Sequence, residues 1–248
     1  MIRSRSYISV IDSSIFLHRS RVESIDFQST SGGTSGFVLT GGHCGTFIIS
    51  KFTKDNDVTI THKISLEANI TNVKIFKLFA IIGLSNGMVR IFNSETGNEL
   101  IHFRLADETQ IDFLSVSKED AKLIVIGQNN LMIIDLNDGK VKFNLKMSDQ
   151  VVEVSSVMTS HHLTLITFWN GEIKVLNLNS AKFNQLSTQS DESGICSDID
   201  NGTLKGITGG TEGTVLGWNL LNGMTHRTRY DSYIYVYYRT VVVYWKDK

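Results

Sequence analysis

The chain has 248 residues, 41% of them hydrophobic and 20% charged, with a formal net charge of −1. This balance gives no electrostatic footprint for nucleic acid, and no apolar run reaches the roughly 18 residues that would suggest a transmembrane helix. The two cysteines, Cys44 and Cys196, are too few for a disulfide framework or a four-thiolate zinc site, so a reducing compartment, nucleus or cytoplasm, is expected.

Taken in chain order, Met1-Ile2-Arg3-Ser4-Arg5 is basic, but no apolar stretch follows it, so no secretory signal is expected. Tyr7-Ile8-Ser9-Val10-Ile11 and Ser14-Ile15-Phe16-Leu17 read as two short strands. Gly32-Gly33-Thr34-Ser35-Gly36 lacks the lysine of a phosphate-binding loop and opens no helix, so it reads as a flexible connection. Residues 37–41 form a strand leading to the turn His43-Cys44-Gly45. Residues 72–76 alternate as a half-buried strand, and 78–83 are a continuous apolar run, as in a strand buried on both faces. Ser85-Asn86-Gly87 is a turn; Asn-Gly predicts type I′, with positive φ at both central residues. Residues 88–92 and 99–103 complete a four-stranded unit around the turn at 95–98.

The same order recurs. Residues 123–127 lead to Asn129-Asn130, 163–167 to Trp169-Asn170-Gly171, and 204–209 to Thr211-Glu212-Gly213. Asn137-Asp138-Gly139 and Leu221-Asn222-Gly223 close outer turns. Gly45, Gly87, Gly171 and Gly213 lie 42 or 84 residues apart, and Asn129 stands at the missing mark, where it is expected to take positive φ in place of glycine. Two residues beyond each mark stand Phe47, Val89, Leu131, Ile173 and Val215; four beyond stand Ile49, Ile91, Ile133, Val175 and Gly217, the last breaking the apolar row. Self-similarity at this period, with four strands per repeat and no competing helix, predicts an all-β propeller. Five four-stranded blades are expected at about residues 21–62, 69–105, 110–146, 150–188 and 193–230. A sixth is expected from the termini, 5–18 with 231–246, the whole chain 1–248 forming one domain.

The sequence resembles the WD40-repeat family. Residues 18–27, beginning His18-Arg19, are similar to that family's stretch from its Gly-His dipeptide into the first strand, with Leu17 where the glycine would be. Residues 208–220 resemble its third-strand signature, with Trp218-Asn219 where the family has Trp-Asp; Phe92-Asn93, Ile134-Asp135 and Leu176-Asn177 are its counterparts elsewhere. Most Gly-His dipeptides are missing, which puts the family's buried His–Asp network in doubt here. Lys205-Gly206-Ile207-Thr208-Gly209, ahead of the Trp218 strand, is similar to the G-protein β-subunit-like WD40 proteins associated with the ASTRA complex. That likeness implies a nuclear scaffold helping to assemble large kinases related to phosphoinositide 3-kinase.

Little is left over for chemistry. His161 and His162 are adjacent and would face opposite sides of a strand, so they cannot share a metal there. His43-Cys44 pairs a thiol with a cationic neighbour but shows no third group, and is read as a turn. No Gly-x-Ser-x-Gly elbow occurs, and the acidic residues are scattered. Phe103-Arg104 is followed by Leu105-Ala106 rather than the second arginine of a phosphoinositide-binding propeller. Arg227, Arg229 and Arg239 interleave with tail aromatics, a pattern able to bind single strands, but here read as strand. Residues 188–193 are a polar connector able to accept phosphate, read as a solvated loop.

The sequence therefore points to a non-catalytic scaffold for other proteins in a multi-subunit complex, with no metal, cofactor, nucleic acid, membrane or small-molecule substrate expected. Trp169, His161 and His162 are the candidate partner contacts, because tryptophan is enriched at interface hot spots. The alternatives are a coat- or pore-type propeller completed by a partner's strands, and an enzyme whose site lies in a central channel.

Overall fold

The computed structural model describes residues 18–30, 33, 35–53, 58–147, 153–186, 194–200, 204–210, 214–222, 225–229, 235–237 and 240–242. The described residues form strands and turns with no helix. Sheet 1 contains β1 (Val22–Ser29), β2 (Gly36–Gly42), β3 (Thr46–Phe52) and β4 (Val58–Ser65). Sheet 2 contains β5 (Ile70–Phe76), β6 (Phe79–Leu84), β7 (Met88–Asn93) and β8 (Glu99–Arg104). Sheet 3 contains β9 (Phe113–Ser117), β10 (Lys122–Gly127), β11 (Asn130–Asp135) and β12 (Lys140–Lys146). Sheet 4 contains β13 (Val154–Ser160), β14 (Leu163–Phe168), β15 (Ile173–Asn177) and β16 (Lys182–Leu186). Sheet 5 contains β17 (Gly194–Asp200), β18 (Lys205–Gly210), β19 (Thr214–Asn219) and β20 (Thr225–Arg229). Each is a four-stranded antiparallel meander in sequence order. A separate hairpin pairs β21 (Tyr235–Tyr237) with β22 (Thr240–Val242).

The sheets stack in series. β1 packs on β5, β5 on β9, β9 on β13 and β13 on β17, while β2 also reaches β5 and β14 reaches β17. The first strands thus stand side by side and the later strands fan outward, a blade-like, propeller-like arrangement. Apolar clusters fill the gaps between sheets. Leu39, Phe47 and Ile49 of sheet 1 meet Val73 and Ile75 of sheet 2, and Ile81 and Val89 meet Leu114 and Leu123 of sheet 3. Ile124 and Ile133 meet Ile166 and Phe168 of sheet 4, and Leu165 and Val175 meet Trp218 and Leu220 of sheet 5. β6 and β10 are buried on both faces because a sheet lies on each side of them, whereas outer β8 alternates exposed and half-buried residues.

The turns depart from the sequence expectation. Gly87 has φ 78°, but Asn86 is not in the positive-φ region, so the loop is not type I′. Gly87 N–H donates to Leu84 O (3.3 Å), which makes residues 84–87 a type I turn followed by a left-handed residue in a three-residue loop. Gly45 and Gly171 repeat the pattern, bonding to Gly42 O (3.1 Å) and Phe168 O (3.0 Å). In sheet 3 the β10–β11 loop is one residue shorter, Gly127 pairing directly with Asn130. There positive φ falls on Gln128 (46°), the first loop residue, and not on Asn129. Shortening the loop moves the left-handed position, so Asn129 marks the period without doing glycine's conformational work. Gly213 lies outside the described residues, as do the strands expected at 7–11 and 14–17 and the connector at 188–193.

Two further repeated devices explain sequence features. Gly83 sits against the segment leading into β9; a Cβ there would lie 2.8 Å from Ile111 Cγ2, as one at Gly41 would lie 2.5 Å from Ile70 Cγ2 of β5. In sheets 2 to 5 the residue that ends the third strand caps the turn after it. Asn93 Oδ1 accepts from Glu95 and Thr96 N–H, Asp135 Oδ1 from Asn137, Asn177 Oδ1 from Asn179 and Ser180, and Asn219 Oδ1 from Leu221. These are Asx turns, which short Asn and Asp side chains form readily.

Candidate functional site

The first strands are joined by side chains rather than by a backbone ladder. On β1, alternate residues Ser24, Asp26 and Gln28 point at the edge of β5. They accept from Val73 N–H (3.1 Å), Ile75 N–H (2.9 Å) and Lys77 N–H (2.7 Å). Asn72 Nδ2 continues the seam to Asp112 O (2.8 Å), Ser115 Oγ to Thr159 Oγ1 (2.9 Å), and Ser156 Oγ meets Ser197 Oγ at 2.9 Å. Period 2 on a strand makes this possible: the polar set faces one neighbouring sheet while Ile25 and Phe27 face the other way.

At the end where these strands begin, four sheets surround a cavity of about 1060 Å³, lined among others by Arg21, Glu23, His43, Asn69, Asp112 and Glu153. Its polar groups are largely tied to one another. Arg21 Nε donates to Glu23 Oε1 (2.7 Å), and the same oxygen faces His43 Nδ1 (3.1 Å). Asn69 Nδ2 lies 3.2 Å from His43 Nε2, so the ring sits between Glu23 of sheet 1 and Asn69 at the entry to sheet 2. Asp112 Oδ2 accepts from Gln128 N–H (2.8 Å), holding the short sheet-3 loop. Both ring nitrogens of His43 are thus engaged by neighbouring side chains, one from each of two adjacent sheets.

His43 and Cys44, adjacent in sequence, face different spaces. Cys44 lines a smaller pocket of about 280 Å³ with His18, Arg19 and Lys63. Hydrogen bonds from Ser20 and Thr46 pull its thiol down to about 7. Cys196 is buried, and burial pushes its thiol up. His18 Nε2 bonds Thr40 Oγ1 (2.8 Å); burial, with Lys63 nearby, holds its pKa below the usual histidine value. Trp218 Nε1 donates to Thr208 Oγ1 (3.0 Å), and Thr208 occupies in sheet 5 the repeat position of Thr40 in sheet 1.

The sequence-predicted contact residues are not brought together. His161 and His162 form the two-residue loop between β13 and β14, His161 with φ 50° and its Nδ1 3.0 Å from Ser160 Oγ. Trp169 stands at the other end of β14, about 20 Å away for a six-residue strand. It is 46% exposed, and its backbone N–H is bonded to the carbonyl oxygen of Glu153 (3.0 Å), a residue of the cavity lining. Among the described residues, no group of three or more His, Cys, Asp or Glu is placed to hold a metal ion, and Arg104 is paired with Glu108. No described helix is long and apolar enough to cross a membrane. Sequence reasoning missed Glu23, Asn69 and the Ser24–Asp26–Gln28 ladder; only the alternation of polar and apolar residues along β1 hinted at the ladder. No family model matches the chain, and no curated protein matches it.

Proposed function

We propose that the protein is a non-catalytic WD40-type β-propeller scaffold, its five sheets completed to six by the terminal segments 5–18 and 231–246, that docks other proteins within a multi-subunit complex of the nucleus or cytoplasm. The third-strand Asx turns at 42-residue spacing and the His18–Thr40 and Trp218–Thr208 bonds support the family reading. The observation that carries the docking role is Trp169, a half-exposed tryptophan on a turn pinned at both ends, by Trp169 N–H to Glu153 O and by Gly171 N–H to Phe168 O. A rigid, exposed aromatic loses little entropy on binding and contributes large contact area. A nuclear ASTRA-type assembly serving large kinases is the particular complex proposed.

Affinity purification from native cells, with Trp169→Ala beside Leu100→Ala as an exposed control far from the cavity lining, tests this. Loss of specific subunits with Trp169→Ala alone is expected; equal recovery from both variants would remove Trp169 from the interface. Recovered kinases of that class would support the assembly role. A second reading, a propeller completed by a partner's strand, is favoured by β1: Ile25 and Phe27 are 64% and 68% exposed on the flank away from sheet 2. It predicts recovery of coat-type subunits and better solubility on co-expression. A central-channel enzyme would instead show turnover in an unbiased hydrolase screen.

A further inference from the structure

The side-chain seam between first strands has a counterpart at the far end of the series. β1 and β17 carry the same bulge against their second strands, at Val22/Ser24 and at Gly194/Cys196. Beyond it the registers coincide: Asp26 is paired with Leu39 and Asp198 with Ile207, Gln28 with Phe37 and Asp200 with Lys205. Asp198 and Asp200 therefore occupy in sheet 5 the positions from which Asp26 and Gln28 hold β5. Strand alternation fixes their direction. Ser197, of opposite parity, bonds back to Ser156 of sheet 4, so Asp198 and Asp200 project from the other face; both are exposed, and Asp198 spends one carboxylate oxygen, Oδ1, on Ile199 N–H (2.8 Å), which leaves Oδ2 as its acceptor for a neighbouring strand. β22 packs against β17.

We propose that β22 takes the sixth inner position and that Asp198 and Asp200 hold it, accepting hydrogen bonds from its backbone N–H groups as Asp26 and Gln28 accept those of Ile75 and Lys77. This rests on the six-bladed reading above and gives its closure a chemical basis. Carboxylates suit the task, because a charged acceptor forms a stronger bond to an N–H than a neutral one. A strand as short as β22, three residues, has few other bonds to hold it.

Hydrogen–deuterium exchange on the full chain tests the proposal. The double variant Asp198→Ala/Asp200→Ala should speed exchange of peptides covering 235–248 roughly tenfold or more, the scale of one or two lost charged hydrogen bonds, while sheets 2 and 3 stay at the wild-type rate. Asp26→Ala should produce the equivalent change at residues 73–77. Asp198→Asn/Asp200→Asn keeps a weaker, neutral oxygen acceptor at each position and should fall between the alanine variant and the wild type. Should the double alanine variant not fold, the single Asp198→Ala is read in the same way. Unchanged exchange over 235–248 in the folded alanine variant overturns the proposal. Deletion of residues 1–16 separates it from the ring itself. A lowered melting midpoint with unchanged exchange in the Asp variants keeps the ring and discards this strand anchor. An unchanged midpoint with accelerated exchange keeps β22 on β17 and discards closure by the N-terminal segment.

Discussion

An end face and an inner face of the series are built from equivalent residues with opposite fates. By register, Ile25 and Phe27 of β1 correspond to Val73 and Ile75 of β5. Val73 and Ile75 are 1% and 4% exposed, because sheet 1 lies against them, while Ile25 and Phe27 stand open. The period-2 pattern chose which residues are apolar in both strands; the presence of a neighbouring sheet decided which of them are core. A repeat pattern read from sequence thus identifies candidate interfaces without saying which are filled.

The largest test of that contrast is a pair of truncations. Ile75→Ala should cost about 2–5 kcal/mol in chemical denaturation, as for other buried large-to-small changes. Phe27→Ala should stay within about 0.5 kcal/mol if its flank is open; a cost near that of Ile75→Ala would mean that the flank is covered in solution. Next, Asp26→Ala removes the acceptor of Ile75 N–H and should cost about 1–3 kcal/mol, with Asp26→Asn losing less.

Exposure also separates the two cysteines chemically. With its thiol near 7, Cys44 is about half thiolate at pH 7, and since the thiolate is the nucleophile, alkylation should rise steeply between pH 6 and 8 and level off above. Cys196, buried and with its thiol raised, should react only in denaturant; mass-spectrometric counting of labelled sites separates the two. The smallest expected effect comes from His18. Its folded pKa lies below the unfolded value of 6.5, so the unfolded chain takes up a proton that the folded chain resists. The resulting stability is complete above pH 6.5 and declines as pH falls through the folded value. Denaturation midpoints at pH 7.5 and 5.5 should differ less in His18→Gln than in the wild type.

The repeat was legible because its signals are local. An apolar alternation, a glycine after a turn and an asparagine ending a third strand each act within a few residues, so spacing alone located the five sheets and most strand limits. The turn class was misread because Asn-Gly predicts a two-residue loop, whereas a third loop residue, Ser85, shifts the left-handed position wholly onto Gly87. The site was mostly illegible. His43 meets Glu23, 20 positions earlier, and Asn69, 26 positions later, across two sheets, and no periodicity encodes such a meeting. Trp169 could be singled out as an exposed aromatic, but its nearness to Glu153 and its distance from His161 follow only from the path of β14.

The seam of Ser24, Asp26 and Gln28 also sets how the molecule answers force. A backbone ladder locks two strands in angle and register, but a serine, an aspartate or a glutamine reaching across a gap can swing about its own χ torsions and keep its bond. The first strands are therefore joined through side-chain torsions, while the apolar clusters beside them hold the sheets face to face. A push on one turn would then be shared among several side-chain joints before a strand leaves its sheet.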